Sequence, residues 1–459
     1  MNGTASGIAL LGDLGSYRFR YSVMAAGIGA AALFLAGAVS IPFFFESPSI
    51  WYKFGFSKVL LRSGKMLGLA AAGLLFSQLL LAGRLKVLDR VFSLPRLVRI
   101  HRLNATVILL PALLHPILVL ASEKKFIFPL AIRYWPEWVG VGLLALILIQ
   151  FVLSRWRVAL RLRFHRWLSW HRYSGAFILA LVVLHLLFVS ETFSEEGIPR
   201  SAAMVTMVLL AVAWLWIRSG WLRARKLPLA VTRVAPAGRD STCIELSPMT
   251  ERRFHYLPGQ FVFVSFHSNH ISREPHPFTL SSSPTRSQCL QVTVRAGGDW
   301  TAHIGRIAEG ERAYLQGPFG RFSHMLTDPD REIVLIAGGI GITPMLSMLR
   351  CMADRHDQRA VTLVWSNRTR EDMVYPDEFD GLAAQLTGLR LVLNFTRKPA
   401  NGFAAGRIDA EKLKGMLAKC SRRAAVFVCG PDRMMQQVES DLKRIGFSSR
   451  LIFTETFGF

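Results

Sequence analysis

Two regimes of hydrophobic patterning divide the chain near residue 220. Before that point, nearly uncharged apolar runs of roughly 20 residues recur, each long enough to cross a bilayer as a helix. Six spans are predicted, at about 21–45, 66–83, 103–121, 136–154, 173–190 and 201–218. From residue 228 the pattern becomes short β-type runs between regular turns: VTRVAP, STCIELS, FVFVSF, LQVTVRA and RAYLQGP. These predict a small antiparallel barrel of about 100 residues. From residue 331 strand-like runs (REIVLIA, VTLVWS, LRLVLNF, AAVFVCG) alternate with helical periods, including a helix beginning at Pro344. That alternation predicts a parallel sheet with crossover helices. The expected fold class is therefore multidomain: a six-helix α transmembrane bundle (1–220), an antiparallel β-barrel domain (221–327) and an α/β, Rossmann-like domain (328–459).

Charge orients this arrangement. The 459 residues carry a formal net charge of +24, yet mean hydropathy is +0.32. Nucleic-acid binding is one use of such charge, but here much of it flanks the apolar spans. One cluster, Arg84, Lys86, Arg90, Arg96 and Arg99, precedes the third span. Another, Arg155, Arg157, Arg161, Arg163 and Arg166, precedes the fifth, and Arg218, Arg223, Arg225 and Lys226 follow the sixth. The positive-inside rule then puts both termini in the cytoplasm and the spans in the cell membrane. The segment 46–65, expected outside, resists this with Lys53, Lys58, Arg62 and Lys65. No cleavable-signal pattern is read at the N-terminus. All five cysteines lie in the second half without a C-x-x-C pair, which argues against disulfides and zinc and suits a reducing compartment.

Two apolar segments, HRLNATVILLPALLH and HRYSGAFILALVVLH, each begin and end with histidine. Fourteen residues leave a helix about 40° short of four turns, so His101 shares a face with His115, and His171 with His185. Each pair is separated by roughly 21 Å along its axis. The third and fifth spans run the same way, so the inner histidines can stand opposite each other, and so can the outer ones. Intramembrane imidazole is costly and usually functional, and it is a good axial ligand for haem iron. Two facing pairs would hold two six-coordinate haems stacked across the bilayer; the alternative is four hydrogen-bonded packing histidines. Arg102 and Arg172 follow the inner histidines and either meet haem propionates or are ordinary inside-facing charge. Gly175, one turn beyond His171, either admits a macrocycle or is a packing glycine.

In the second half stand LPGQFVFVSFHSNHISREPHPFTLSS, GGIGITP after a strand, CGP after AVFV, and a terminal ETFGF. In this order behind the histidine helices, the motifs resemble the NADPH oxidase and ferric reductase family across nearly the whole chain. That resemblance implies a ferredoxin-reductase-like module binding FAD and NAD(P)H. It places His276, Pro277, Phe278, Thr279, Leu280, Ser281 and Ser282 at the flavin: Phe278 packing on the ring system and Thr279 hydrogen-bonding its edge. His276 stands where soluble relatives carry an arginine. VTVRAGGDWT resembles the family's second flavin strand, adding Arg295, Trp300 and Thr301. There Arg295 could offset phosphate charge, and the N–H groups of the Gly-rich turn could reach it. Gly338, Gly339, Ile340, Gly341, Thr343 and Pro344 form the expected dinucleotide turn at a helix N-terminus, with Thr343 as its cap. Arg368 and Arg370 suit a 2′-phosphate, favouring NADPH over NADH, with Asp372 as a competing signal. Cys429, with Gly430 and Pro431, is expected beside the nicotinamide, and the terminal aromatic Phe459 over the flavin.

The expected activity is transmembrane electron transfer from cytoplasmic NADPH through FAD and two b-type haems. The acceptor on the far side is dioxygen, giving superoxide, or alternatively a ferric chelate, which an acidic outer surface (Glu191, Glu195, Glu196) would help. The rival from another class is a non-catalytic haem-binding membrane partner, which would predict a damaged nucleotide site. Regulatory subunits are not legible in the sequence.

Overall fold

The computed structural model describes residues 17–45, 55–189, 191–194, 197–224, 228–251, 253–286, 288–397 and 403–456. The described chain forms two compact units, one of Ser16–Phe92 with Arg96–Ser219, the other of Gly220 onward together with the short segment Ser93–Pro95.

In the first unit six helices are long and apolar enough to cross a membrane: Ser22–Phe44, Gly55–Ala82, Leu94–Ser122, Ile132–Arg155, Arg166–Val189 and Ile198–Ile217. The second begins earlier than the hydropathy run suggests, at Gly55. Lys58, Arg62 and Lys65 therefore belong to a helix, not to a loop. Its 28 residues span about 42 Å, more than the roughly 30 Å hydrocarbon core, so one end can project beyond the core with its charges. Arg62 lies 4.8 Å over the Phe43 ring at the end of the first helix. Arg96 and Arg99 likewise fall on the first turns of the third helix, which starts at Leu94.

Small and branched residues of the second, fourth and fifth helices make a buried cluster: Ala72, Leu143, Ile147, Ile178 and Val182. Outward-facing Leu33, Leu103, Leu110, Val208 and Leu215 stay exposed, which suits lipid. Pro111 and Pro116 sit inside the third helix on either side of His115. Each removes a backbone donor, a loss tolerated where neighbouring helices cover the site.

The second unit opens with β1 (Pro228–Gly238), β2 (Ser241–Pro248), β3 (Phe261–His267), β4 (His276–Thr279), β5 (Leu290–Arg295) and β6 (Arg312–Phe319). Sheet order is β4-β3-β6-β1-β2-β5, and a bridge from Leu280 to Val292 closes the ends into a barrel. Leu229, Ile244, Leu246, Val262, Val264, Val292 and Leu315 fill its interior. HPFT is itself β4, pairing with β3 through Thr279–Phe261 and Pro277–Phe263. Pro277 has no N–H to give, which fits a strand with one full ladder neighbour.

The chain then forms β7 (Ile333–Gly338), β8 (Val361–Asn367), β9 (Leu389–Phe395), β10 (Ala404–Ala405), β11 (Ala425–Cys429) and β12 (Ile452–Glu455). All pairings are parallel, in the order β10-β9-β8-β7-β11-β12. β7, β8 and β11 are buried at every position, as central strands covered on both faces must be. The order reverses between β7 and β11, and in open α/β sheets that reversal makes a crevice at the carboxyl ends.

Candidate functional site

The four histidines come together as two pairs. His101 and His171 have ring centres 6.0 Å apart at 75°, and His115 and His185 are 6.3 Å apart at 81°. The helices supply different surroundings to each. His115 Nδ1 lies 2.8 Å from the Gly64 carbonyl, and His185 Nδ1 lies 2.8 Å from the Pro136 carbonyl. A carbonyl only accepts, so both Nδ1 atoms carry the proton and both Nε2 atoms keep a lone pair. The same device makes both contacts. Four residues past each carbonyl stands a glycine, where a Cβ would collide with the ring: 2.8 Å from His115 Nδ1 at Gly68, 2.5 Å from His185 Cε1 at Gly140. The missing side chains let the imidazoles lie against the helix and reach its backbone.

The other pair is held more loosely. His171 Nδ1 is 3.3 Å from Ser154 Oγ, and Trp167 stacks on the His171 ring at 5.2 Å. His101 Nδ1 is buried without a hydrogen-bond partner. Gln78 donates to the His101 backbone carbonyl at 3.2 Å, and Asn104 donates to the Leu74 carbonyl and Ser77 Oγ, both at 3.0 Å. Ser174 bonds Gln150 between the fourth and fifth helices. A Cβ at Gly175 would meet only Gln150 Nε2, at 3.5 Å. Arg102 and Arg172 are exposed. Among the described residues no three His, Cys, Asp or Glu side chains gather as a metal-binding group. The protein therefore offers two nitrogen donors per pair, and a ligand must supply any others.

At the barrel, the Thr279 hydroxyl is buried and has no partner, an acceptor and donor held open beside β3. His276 stacks on Trp300 at 4.0 Å, and Phe278 lies 5.9 Å from the same indole. Trp300 Nε1 donates to the Ser272 carbonyl, so this aromatic stack is locked to the barrel. The Gly-rich turn differs from expectation. The N–H groups of Gly297 and Gly298 both donate to Thr301 Oγ1, at 3.0 and 2.9 Å, and are not open to a phosphate. Thr301 builds the turn from within. Arg295, at the end of β5, instead reaches toward Gly339, where a Cβ would lie 3.3 Å from its Nη1. Ser281 bonds Thr293 Oγ1, and Tyr256 Oη donates to the Ser282 carbonyl at 2.9 Å.

The nucleotide motifs meet at the switch point. Gly338 ends β7 and Gly341 follows it, while Cys429 ends β11 and Gly430 and Pro431 follow it. A Cβ on Gly341 would collide with the Cys429 carbonyl oxygen, and one on Gly338 would stand 2.9 Å from Pro431 Cδ. Gly339 adopts φ +54°. Only glycines let these loops approach so closely. The helix Ile342–Asp354 starts here, with Pro344 in its first turn. Thr343 does not cap it. The N-cap is Gly341, and the Thr343 hydroxyl donates to the Ile340 carbonyl at 3.2 Å. The helix N-terminus is thus left without a side-chain cap beside the crevice.

Asp372 is occupied by its own turn: with Thr369 it forms a capping box. Arg368 and Arg370 stay exposed past β8. Cys429 is 1% exposed, and burial, with Glu455 alongside, pushes its thiol well above the ordinary value. Its thiol is therefore held protonated. Phe459 lies outside the described residues, as do Glu195 and Glu196. Nothing in the local sequence points to Gly64, Gly68, Pro136, Gly140 or Ser154, which act on the histidines from separate helices. Trp167 alone carries a local signal, four residues before His171.

A membrane bundle joined to flavin and nucleotide modules defines a membrane-spanning NAD(P)H oxidoreductase. Family models match accordingly: a ferric reductase like transmembrane component over residues 67–182, an FAD-binding domain over 229–335, and an oxidoreductase NAD-binding domain over 335–440. An "NADPH oxidoreductase" of Mycobacterium tuberculosis is 30% identical over 263 residues, covering 56% of this chain and 67% of that protein. The Escherichia coli "NADH oxidoreductase HCR" is 29% identical over 209 residues, covering 44% and 60%. The chain thus spans about 60 to 67% of the length of these curated relatives. A flavohemoglobin crystal structure from Malassezia yamatoensis shares the fold, with TM-score 0.50 and 19% identity over 89% of this chain and 99% of that one. The chain belongs to the NADPH oxidase and ferric reductase family.

Proposed function

We propose that the chain carries electrons from NADPH on the cytoplasmic side, through FAD and two stacked bis-histidine haems, to dioxygen on the far side of the cell membrane, releasing superoxide. The spacing of the histidine pairs carries this reading. An iron ion held between two imidazole nitrogens would need the two rings roughly 6 Å apart, centre to centre. The observed 6.0 and 6.3 Å match. His101 with His171 would hold the inner haem, and His115 with His185 the outer one.

When bound, the flavin accepts a hydride and releases electrons singly, and the haems pass them on one at a time. The protein's own residues position and insulate. Gly338, Gly339 and Gly341 admit the dinucleotide phosphates to a helix N-terminus. Arg295, beside Gly339, offsets phosphate charge, and Arg368 and Arg370 receive the 2′-phosphate of NADPH. Thr279 offers its unpartnered hydroxyl to the flavin edge, and Phe278 an aromatic face. Cys429, protonated and buried, walls the nicotinamide side of the crevice. Phe459 is proposed to cover the flavin until nicotinamide displaces it. Arg102 and Arg172 stand next to the inner histidines, where haem propionates need cations.

The test is anaerobic reduction. Purified protein supplied with FAD and NADPH should show haem absorbance changes. Bound haem that stays oxidised would favour the non-catalytic partner instead. Oxygen with and without superoxide dismutase, against a ferric chelate, then separates superoxide production from ferric-chelate reduction.

A further inference from the structure

We infer that the connection between the third and fourth membrane helices, residues 123–134, is an interfacial anchor that buries its apolar side chains in the lipid leaflet at that end of the bundle. Four of its side chains face outward with little of the chain on them: Leu130, Ile132 and Phe126 are 89, 93 and 102% exposed, and Ile127 69%. A connection facing water does not gather large apolar groups this bare. The segment is not slack. The Lys125 N–H donates to the Leu120 carbonyl at 3.0 Å, and the Tyr134 N–H to the Ala131 carbonyl at 2.9 Å. Between them Trp138 Nε1 donates to the Pro129 carbonyl at 3.2 Å, and Phe128 is buried. The backbone is thus held at both ends and in the middle, with the neighbours of Phe128 turned away from the protein.

Lipid is the partner because of where the segment stands and what flanks it. A short connection between two spanning helices lies at the membrane–water boundary, with lipid on its outer side. The two helices it joins expose Leu110, Ile117 and Val141 as well, the surface expected to face lipid. Tyr134 and Trp135 stand at its end, and these are the residue types that mark such a boundary. Trp135 packs on Phe188 of the fifth helix at 5.3 Å. Lys125 and Arg133 lie 5.2 and 4.9 Å over the Tyr134 ring. Lys125 is paired with Glu123 at 2.6 Å, whereas Lys124 and Arg133 are exposed with no carboxylate on them among the described residues. Their charge complements lipid phosphates, as in other segments that lie in an interface. Cations on this face run against the positive-inside pattern, and headgroup binding accounts for them. The inference needs only the spanning helices and goes beyond the electron-transfer reading.

The experiment is spin-label accessibility on the full chain in nanodiscs of phosphatidylcholine and phosphatidylglycerol. Labels go one at a time on Phe126→Cys, Leu130→Cys, Ile132→Cys and Lys124→Cys, and the parent protein labelled in parallel gives the background from native cysteines. Power saturation compares collisions with oxygen, which concentrates in lipid, and with a water-soluble nickel chelate. Oxygen should exceed nickel severalfold at Phe126→Cys, Leu130→Cys and Ile132→Cys, with the ratio falling at Lys124→Cys. Nickel exceeding oxygen at the three apolar positions would place the segment in water and overturn the inference. Low access to both reagents would mean a protein cover, either a second copy or another partner, and would overturn it too. A second set stands independently. Phe126→Ser, Leu130→Ser and Ile132→Ser together should leave the circular dichroism spectrum unchanged and make a label at Ile127→Cys severalfold more accessible to nickel; no gain would also refute the anchor. None of these readouts depends on haem content or NADPH oxidation, so the proposed function stands or falls separately.

Discussion

Arg350 ties the nucleotide helix to the flavin strand, and its removal should be felt in both stability and hydride transfer. The side chain leaves the Ile342–Asp354 helix and makes four hydrogen bonds. Two go to the Glu378 carboxylate at 2.6 and 2.7 Å, one to the Ser281 carbonyl at 2.9 Å and one to Gln291 Oε1 at 2.7 Å. It also lies 5.3 Å over the Tyr375 ring. Ser281 stands two residues past Thr279, so this guanidinium holds the strand expected to carry the flavin against the helix expected to hold the nucleotide phosphates. One turn away, Ser347 Oγ donates to the Ser282 carbonyl at 2.7 Å and reinforces the join. Arg350→Met keeps the aliphatic stem and deletes every donor. Breaking a fully buried pair costs about 3–5 kcal/mol. Here Glu378 is 31% exposed and can be rehydrated in part, so a loss of about 2–3 kcal/mol is expected. For a unit of this size that lowers Tm by roughly 5–10 °C. Loosened apposition of the two cofactor sites should also slow flavin bleaching by NADPH about 10- to 100-fold. Differential scanning fluorimetry and anaerobic stopped-flow read the two effects, with FAD content as the control. Arg350→Lys, a point charge that cannot serve both carboxylate oxygens and two further acceptors, should fall between. A methionine variant with wild-type Tm and wild-type bleaching would refute this role.

Three further outcomes are expected. Gly140→Ala puts a Cβ 2.5 Å from His185 Cε1 and should displace the ring from its carbonyl, cutting pyridine haemochrome from two haems toward one with flavin retained; Gly142→Ala, which meets nothing within 4 Å, is the matched control. Arg368→Ala with Arg370→Ala should raise the KM for NADPH roughly 10- to 100-fold while leaving NADH kinetics nearly unchanged, since each phosphate contact is worth about 1.5–3 kcal/mol; equal loss with both nucleotides would argue against 2′-phosphate recognition. His324 is buried neutral, its imidazole pushed down to about 3 by burial and by Arg359. Its contribution is complete above the unfolded value of 6.5 and falls as the unfolded chain takes up the proton first, by up to about 1.4 kcal/mol per pH unit. Urea unfolding between pH 7 and 5 should show that slope, and His324→Leu should flatten it.

The sequence by itself determined the elements and their chemistry. Uncharged runs long enough for a bilayer specified helices, since nothing else in an unpaired segment satisfies a backbone in lipid. The fourteen-residue histidine interval put each pair on one helix face, because helical periodicity is local. Alternating periods separated barrel from parallel sheet, and GGIGITP and CGP announced tight loops because glycine is the local requirement for them. Helix ends are less legible: Lys58 and Arg62 read as loop because hydropathy marks where a helix meets water, not where it stops. Only the tertiary structure decided what faces those elements. The carbonyls of Gly64 and Pro136 come 51 and 49 positions away from the rings they bind. Gly68 and Gly140 look like ordinary membrane glycines until an imidazole lies against them. Thr301 and Thr343 read as facing a ligand or capping a helix, yet each hydroxyl bonds neighbouring backbone. Partner choice of this kind follows from which surfaces packing brings within hydrogen-bonding reach, and no period in the chain encodes it.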